Sequence, residues 1–387
     1  MEKIKKLFLY LLNLPLYWIA RLVPKDENIW IFGAWFGEKY ADNSKYLFEY
    51  INKNHPEIRA IWLTKKEETE ELIKSKGYEV YKTYSLKGYF YSSKSNYSFV
   101  SVGTGDVNFF IPAKNIINLW HGCPLKKIGF DDKITANYKH SLIKSFLKSI
   151  FGFSKQAMNY SRVISSSRTE AKNLSTAFNK RIENIIVTGL PRNDVFFNHK
   201  KSFKNNMRVI YMPTHRNEGE LNVCELFVND IEMINERLKL HNIELHIKLH
   251  FYHMNQMNIK NYSNIKAVYD KDIEQDIYSV LPDYDILITD YSSIFFDFLL
   301  TNRPIIFAPF DYERYITKDR ELYYDYDEVT PGPKCKNWDE VLELIVKFKE
   351  NPELYKEERE VIKNRFHKYQ DGKNCERVYK EIIKINV

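Results

Sequence analysis

Cysteine is scarce: the 387-residue chain holds four, Cys123, Cys224, Cys335 and Cys375. They stand far apart, without a CxxC pair or a histidine at zinc-ligand spacing. Neither a disulfide framework nor a Cys/His zinc module is encoded. The thiols read as reduced and cytosolic. Cys123, two residues after His121, invites a nucleophile reading beside the plainer one of a small side chain filling a turn. No acidic pair resembles a Mg²⁺ site, so no essential metal or other cofactor is expected. Repeats and low-complexity tracts are missing as well. Lys and Arg outnumber Asp and Glu 58 to 51, but the excess of +7 is thinly spread, with modest clusters at Lys126-Lys127, Lys200-Lys201 and Lys363–Arg365. A nucleic-acid binder shows a denser basic stripe or a recognisable module, so nucleic acid is not an expected partner. The mild excess suits an anionic membrane surface or a phosphorylated substrate, or simply a solvated exterior.

A membrane-spanning run is lacking in the N-terminal region. The apolar stretch from Leu7 to Leu22 covers 16 residues, roughly 24 Å as a helix against a ~30 Å hydrocarbon core. Lys3, Lys5 and Lys6 precede it, Asn13 and Pro15 interrupt it, and Arg21 closes it. The charge order is that of a signal peptide, yet no A-x-A cleavage site follows. Residues 1–23 are therefore expected to form an uncleaved interfacial anchor on the cytoplasmic face of the membrane, with Tyr10, Tyr17 and Trp18 at headgroup level. The alternative is a helix packed on the domain surface.

What is present is an alternation of strands and helices. Apolar content of 44% and charged content of 28% are those of a folded protein, and the length suits two domains. "NIWIFGAW" (28–35), "IRAIWLT" (58–64), "YEVYKT" (78–83), "YSFVSV" (97–102) and "KNIINLW" (114–120) read as strands. Helices fall between several of them, beginning with 43–54, capped by Asn43 or Ser44. A helical region at 134–158, the strand "RVISSS" (162–167), a further helix and "NIIVTGLPRND" (184–194) complete the first series. The pattern is lost over 195–206, the expected linker. A second series follows: "RVIYMPT" (208–214), a helix at 222–240, "ELHIKLH" (244–250), "IKAVYD" (265–270), "YDILITD" (284–290), "PIIFAPF" (304–310), then charged helices from 338. The expectation is an α/β protein of two Rossmann-like, doubly wound domains, 26–196 and 207–387, facing a cleft at the carboxyl ends of their strands.

Four strand ends are polar or ionisable: His121-Gly122, His215-Arg216, His250, and Asp290-Tyr291-Ser292-Ser293. The helix that follows Ser293 offers unpaired N–H groups and a positive dipole end to a phosphate, with two serine hydroxyls as further donors; a plain N-cap is the bland reading. Arg216 and Lys248 add charge that would neutralise a diphosphate. His121 and His250 lie in different halves and would meet only across the cleft.

The segments "NLWHGCPLKKIGFD", "VTGLPRNDVFF", "YMPTHR", "KLH", "DYDILITDYSSIFFDFLLTNRPIIFAPFDYERY" and "YYDYDEVTPGP" together resemble the CDP-glycerol glycerophosphotransferase family of teichoic acid and capsule synthesis. They fall in the family's order over roughly residues 28 to 380. The resemblance implies a GT-B-type fold, a CDP-polyol donor bound mainly by the C-terminal half, and membrane association. It also implies a lipid-linked saccharide or polyol-phosphate acceptor. Two positions depart from the family pattern: His215 where a tryptophan is usual before the arginine, and Phe251 where proline is usual after the "LH" histidine. The chain lacks the extra domains of long polymerising members, so its length resembles a primase or a short capsule transferase.

Under that reading an acceptor hydroxyl attacks the β-phosphorus of CDP-glycerol and CMP leaves. His121 is the candidate base, because a histidine near pKa 6.5 is suited to accept a proton at cytosolic pH. Gly122 shapes the turn on the acceptor side, and Lys126 and Lys127 attract the anionic acceptor or form only a solvated turn. His250 is the second catalytic candidate, stabilising charge on the diphosphate beside Arg216, Lys248, Ser292 and Ser293. Asp290 orients the loop or a donor hydroxyl, and Asp297 packs back toward the loop. Asp311 accepts from a ribose or polyol hydroxyl, or is a solvated loop acid. Three alternatives stand: a CDP-ribitol-dependent transferase, a GT-B glycosyltransferase using a nucleotide-sugar, and a non-catalytic binder of anionic polymer.

Overall fold

The computed structural model describes residues 13–111, 113–133, 160–199, 206–214, 227, 230–248, 262–319 and 321–384. Its strands form two sheets in which every pairing is parallel. The first sheet contains β1 (Asp26–Phe32), β2 (Arg59–Thr64), β3 (Val80–Lys82), β4 (Ser95–Val100), β5 (Asn115–Asn118), β6 (Arg162–Ser165) and β7 (Ile185–Val187). Their order is β3-β2-β1-β4-β5-β6-β7. The second contains β8 (Met207–Met212), β9 (Ile243–Ile247), β10 (Ile265–Ala267), β11 (Ile286–Thr289) and β12 (Ile305–Phe307), ordered β10-β9-β8-β11-β12.

Parallel strands are covered on both faces, which is why they read as near-continuous apolar runs. In β1 the side chains alternate between two cores. Trp30 and Phe32 pack with Phe48, Trp62 and Phe99, while Ile29 and Ile31 pack with Leu63, Val100 and Val163. Strand order reverses between β1 and β4 in one sheet and between β8 and β11 in the other. Loops diverge at such switch points and leave a crevice at the carboxyl ends of the strands. This places the segments after β1, β4, β5, β8 and β11 around one space.

The chain's last helix, Asn374–Ile383, corrects the expectation that 207–387 is a single unit. Its Cys375, Val378 and Ile382 pack into the first domain's core beside Trp30 and Phe48. Asp194 fixes the start of this helix by accepting the N–H groups of Asn374 (2.8 Å) and Cys375 (2.9 Å). The reverse exchange also occurs. Cys123 and Leu125, from the segment after β5, are buried in the second domain's core with Phe295, Tyr315 and Tyr326. Backbone bonds from Lys127 N–H to the Glu321 carbonyl (2.8 Å) and from Tyr323 N–H to the Leu125 carbonyl (2.9 Å) secure it there. Each half thus holds a piece of the other.

Residues 13–22 are helical. Asn13, Tyr17 and Ala20, spaced on one helix face, are buried against the first domain. Tyr17 packs with Phe109 and Phe110, and the Tyr89 hydroxyl donates to Asn13 Oδ1 at 2.7 Å. Leu16, Trp18, Ile19 and Leu22 on the other face are exposed. Among the described residues, no helix is long and apolar enough to cross a membrane. The expected helix 134–158 and the stretch Met1–Leu12 lie outside the described residues.

Candidate active site between the two sheets

A cleft of about 560 Å³ opens at the two switch points. One wall carries Trp35, Lys39, His121, Gly122 and Lys126; the other carries Pro213, Thr214, Lys248, Asp270, Ser292 and Ser293. The first wall is held from behind by the helix Asp42–Asn54. The expected caps Asn43 and Ser44 are spent elsewhere: the N-cap position is Ala41, with no side-chain cap bond. Asn43 Nδ2 donates to the carbonyls of Leu119 (3.2 Å) and Trp120 (2.8 Å), and Ser44 Oγ bonds Ser101 Oγ at 2.8 Å. Trp120 turns the chain out of β5 with a positive φ of 54°, and its N–H donates to Asn118 Oδ1 (2.8 Å). Held in this way, the chain delivers His121 to the cleft.

His121 sits between the indoles of Trp120 and Trp35, with ring centroids at 3.9 and 5.6 Å. Its Nδ1 lies 3.1 Å from the Ser101 carbonyl oxygen. A carbonyl only accepts, so Nδ1 carries the hydrogen and Nε2 keeps its lone pair. Burial lowers the ring's pKa below its ordinary 6.5, outweighing the pull of Asp42 and of the Ser101 carbonyl in the other direction. A neutral imidazole in this tautomer is a proton acceptor at neutral pH.

Gly122 is needed for its backbone. Its φ is +126°, and a Cβ there would stand 2.5 Å from Nη2 of Arg192 and 3.5 Å from Ser293 Oγ. The His121 loop therefore abuts both Arg192 and the serine pair of the opposite wall. The helix after Ser293 is only five residues, Ile294–Phe298, before it tightens into a 3₁₀ turn, and Ser293 makes no side-chain cap bond. Both serines are partly exposed to the cleft.

Lys248, expected at the donor site, meets a cation the motif reading missed, Lys39, across the cleft. Lys248 Nζ donates to Asp270 Oδ1 at 2.6 Å, and Lys39 Nζ donates to Asp270 Oδ2 at 2.8 Å. Burial works to raise the Asp270 carboxyl's pKa, but the two lysines hold it below the ordinary carboxylate value. Lys39 and Asp270 come from loops with no motif around them.

Other expected site residues stand away from the cleft. Asp290 is buried and accepts the N–H groups of Thr214 (2.8 Å) and Tyr291 (2.6 Å), tying the end of β8 to the end of β11. Asp311, also buried, accepts from the Tyr291 hydroxyl at 3.1 Å. Lys127 points to Glu321, 3.3 Å away, while Lys126 lines the cleft. Asp297 is wholly buried and takes Arg192 Nη2 (2.5 Å), Tyr278 OH (2.6 Å) and Asn193 Nδ2 (3.0 Å). It joins the two halves. Cys123 is fully buried, and burial pushes its thiol well above the ordinary range, so it fills space. His250 and Arg216, with the departures His215 and Phe251, lie outside the described residues. Among the described residues, no group of three or more His, Cys, Asp or Glu side chains is arranged to hold a metal.

The family model of CDP-glycerol:poly(glycerophosphate) glycerophosphotransferase matches residues 16–384. A teichoic acid glycerol-phosphate transferase of Staphylococcus aureus (strain NCTC 8325 / PS 47) is 26% identical, covering 98% of this chain and 100% of that protein. A teichoic acid poly(glycerol phosphate) polymerase of Bacillus spizizenii (strain ATCC 23059 / NRRL B-14472 / W23) is 28% identical over 94% of each. Both a transferase and a polymerase are thus matched along nearly their whole lengths, so length does not separate one addition from many. The wall teichoic acid polymerase TagF, in a variant soaked with CDPG, superposes with a TM-score of 0.79 over 99% of this chain and 97% of that one, at 22% identity. The architecture is accordingly the TagF-like GT-B fold. With its motifs, its cleft and a family model spanning both halves, the chain belongs to the CDP-glycerol:poly(glycerophosphate) glycerophosphotransferase family.

Proposed function

We propose that this enzyme transfers glycerol phosphate from CDP-glycerol to a hydroxyl of a lipid-linked saccharide or polyol-phosphate acceptor in teichoic acid synthesis, with release of CMP. The observation that carries the reading is His121, with Nδ1 at 3.1 Å from the Ser101 carbonyl and the ring lining a cleft whose far wall holds Lys248, Ser292 and Ser293. The acceptor oxygen attacks the glycerol-bearing phosphorus and gives its proton to His121 Nε2. The bond to the bridging oxygen breaks, and CMP departs with the electron pair. Lys248 and the serine hydroxyls stabilise charge on the diphosphate, as phosphoryl transfer requires. His250 and Arg216 join them under the family resemblance.

Incubation with CDP-glycerol, CDP-ribitol and UDP-sugars, each with a lipid-linked disaccharide, tests the assignment. CMP is expected from CDP-glycerol with a matching gain in acceptor mass. UDP release with no CMP from either CDP-polyol would leave a glycosyltransferase.

Asp270 occupies the position between Lys39 and Lys248 that a phosphate would fill, so donor binding would draw the lysines from a carboxylate to a phosphate. Lys248→Met is expected to raise KM for CDP-glycerol roughly tenfold, the effect of one lost charge-assisted hydrogen bond. An unchanged KM and unchanged calorimetric affinity would remove Lys248 from the donor site.

The membrane location belongs to the same reading. Deleting residues 1–23 is expected to shift the protein from the membrane to the soluble fraction while transfer to a water-soluble acceptor persists. Full retention in the membrane fraction would refute the anchor. The exposed Leu16, Trp18, Ile19 and Leu22 support it.

A further inference from the structure

A second cavity, of about 300 Å³, lies where residues 13–22 meet the first domain and shares no lining residue with the cleft. Arg21, Lys25 and Lys114 line it together with Tyr17, Val23 and Ile111, and no acidic residue does. Among the described residues, no carboxylate pairs with any of the three cations. Lys25 Nζ donates to the carbonyls of Ala20 (3.3 Å) and Ser93 (2.5 Å). Arg21 rests over the rings of Tyr17 and Trp18, at 5.1 and 5.7 Å. Burial, and then Arg21, lower the Lys25 pKa below the ordinary lysine value. An anion in the cavity would relieve that repulsion.

The cavity also adjoins bare apolar surface. Trp18, which carries Arg21 on its ring, is 52% exposed, and Leu16, Ile19 and Leu22 are 41%, 58% and 84% exposed. Four large apolar side chains exposed on one short helix mark a surface that meets something apolar.

We propose that this cavity binds the phosphodiester headgroup of an anionic phospholipid, whose acyl chains lie along Leu16, Trp18, Ile19 and Leu22. The proposal rests on the membrane-facing reading of residues 1–23 and deepens it by giving that segment a built headgroup site. A free phosphate would satisfy the cations and leave the apolar row in water. A phospholipid satisfies both with one molecule.

Co-sedimentation of the full chain with phosphatidylglycerol/phosphatidylcholine vesicles and with pure phosphatidylcholine vesicles tests it. The protein is expected to prefer the phosphatidylglycerol vesicles. Lys114→Gln and Arg21→Gln should each lower that partitioning about fivefold, the effect of one juxtamembrane charge. Lys87, exposed on the neighbouring helix Leu86–Lys94 and outside the cavity, is the control. Lys87→Gln should change partitioning much less. Val23→Trp fills the cavity without altering charge and should abolish the preference for phosphatidylglycerol while binding to phosphatidylcholine persists. Equal losses for Lys87→Gln and Lys114→Gln, or an intact preference in Val23→Trp, would overturn the pocket in favour of diffuse attraction. Release from the vesicles by inorganic phosphate at constant ionic strength would assign the cations to a free anion and overturn the lipid. A wild-type chain that binds neither vesicle would instead refute the membrane reading itself.

Discussion

His121→Ala is expected to cut turnover by roughly 10²- to 10⁴-fold, the range for a positioned acid–base group, while calorimetric affinity for CDP-glycerol stays near that of the wild type. The separation follows from the walls of the cleft: His121 belongs to the first, and Lys248, Ser292 and Ser293 to the second. The fold should survive, since the ring is partly exposed and its one described hydrogen bond goes to a backbone carbonyl. His121→Asn provides a further check, because an amide reaches toward the same carbonyl but accepts no proton at neutral pH. The pH profile gives the sign. The reactive form is the neutral ring, and its pKa is lowered below 6.5, so the rate should hold through neutrality and fall only as pH drops below that value. A stable His121→Ala protein with near-normal turnover would mean that another group takes the proton.

Much of this arrangement is legible in the sequence, and the element boundaries show why some is not. "NIWIFGAW" reads as strand through Trp35, but β1 ends at Phe32. At Gly33 a Cβ would lie 2.2 Å from the Asp106 carbonyl oxygen, and Trp35 and Phe36 take φ of 47° and 59°. The aromatic residues after the strand belong to the loop that builds the cleft wall. Trp120 repeats the pattern after β5. Periodicity registers such residues as strand because it measures apolarity and not direction. His121, Lys248, Ser292 and Ser293 were legible as polar residues at the ends of apolar runs. Lys39 and Asp270 were not, since a loop lysine and a loop aspartate have no local signature. The same limit hid the docking of Asn374–Ile383 on the first domain: an apolar helix face shows that it will be buried, not against which sheet.

Arg192→Met is expected to lower the thermal midpoint more than any substitution in the cleft, and to lower turnover with it. Arg192 is buried, and its guanidinium bonds Asp42 Oδ1 (2.9 Å) and Asp297 Oδ2 (2.5 Å) while stacking over Tyr278 at 4.3 Å. Asp42 and Arg192 belong to the first domain and Asp297 and Tyr278 to the second, so this one cation spans the junction. Burial disfavours its charge, but Asp297, Tyr278 and Asp42 raise its pKa well above the ordinary value. Without the guanidinium two buried carboxylates lose their counter-ion, a loss of about 3–5 kcal/mol when one partner of a buried pair is removed. That is a large share of the roughly 5–15 kcal/mol that stabilises a typical domain. The link to turnover is Gly122, the neighbour of His121, where a Cβ would stand 2.5 Å from Nη2. Asp297→Asn separates the charge from the shape, because an amide keeps one acceptor for Tyr278 or Asn193 and removes one buried negative charge. The double variant Arg192→Met/Asp297→Asn should therefore be less destabilised than the sum of the two singles, since it leaves only Asp42 without its cation. Strict additivity of the two midpoint shifts would show that Arg192 acts through packing and not through charge. A stable Arg192→Met protein with unchanged turnover would detach the junction from the His121 loop altogether.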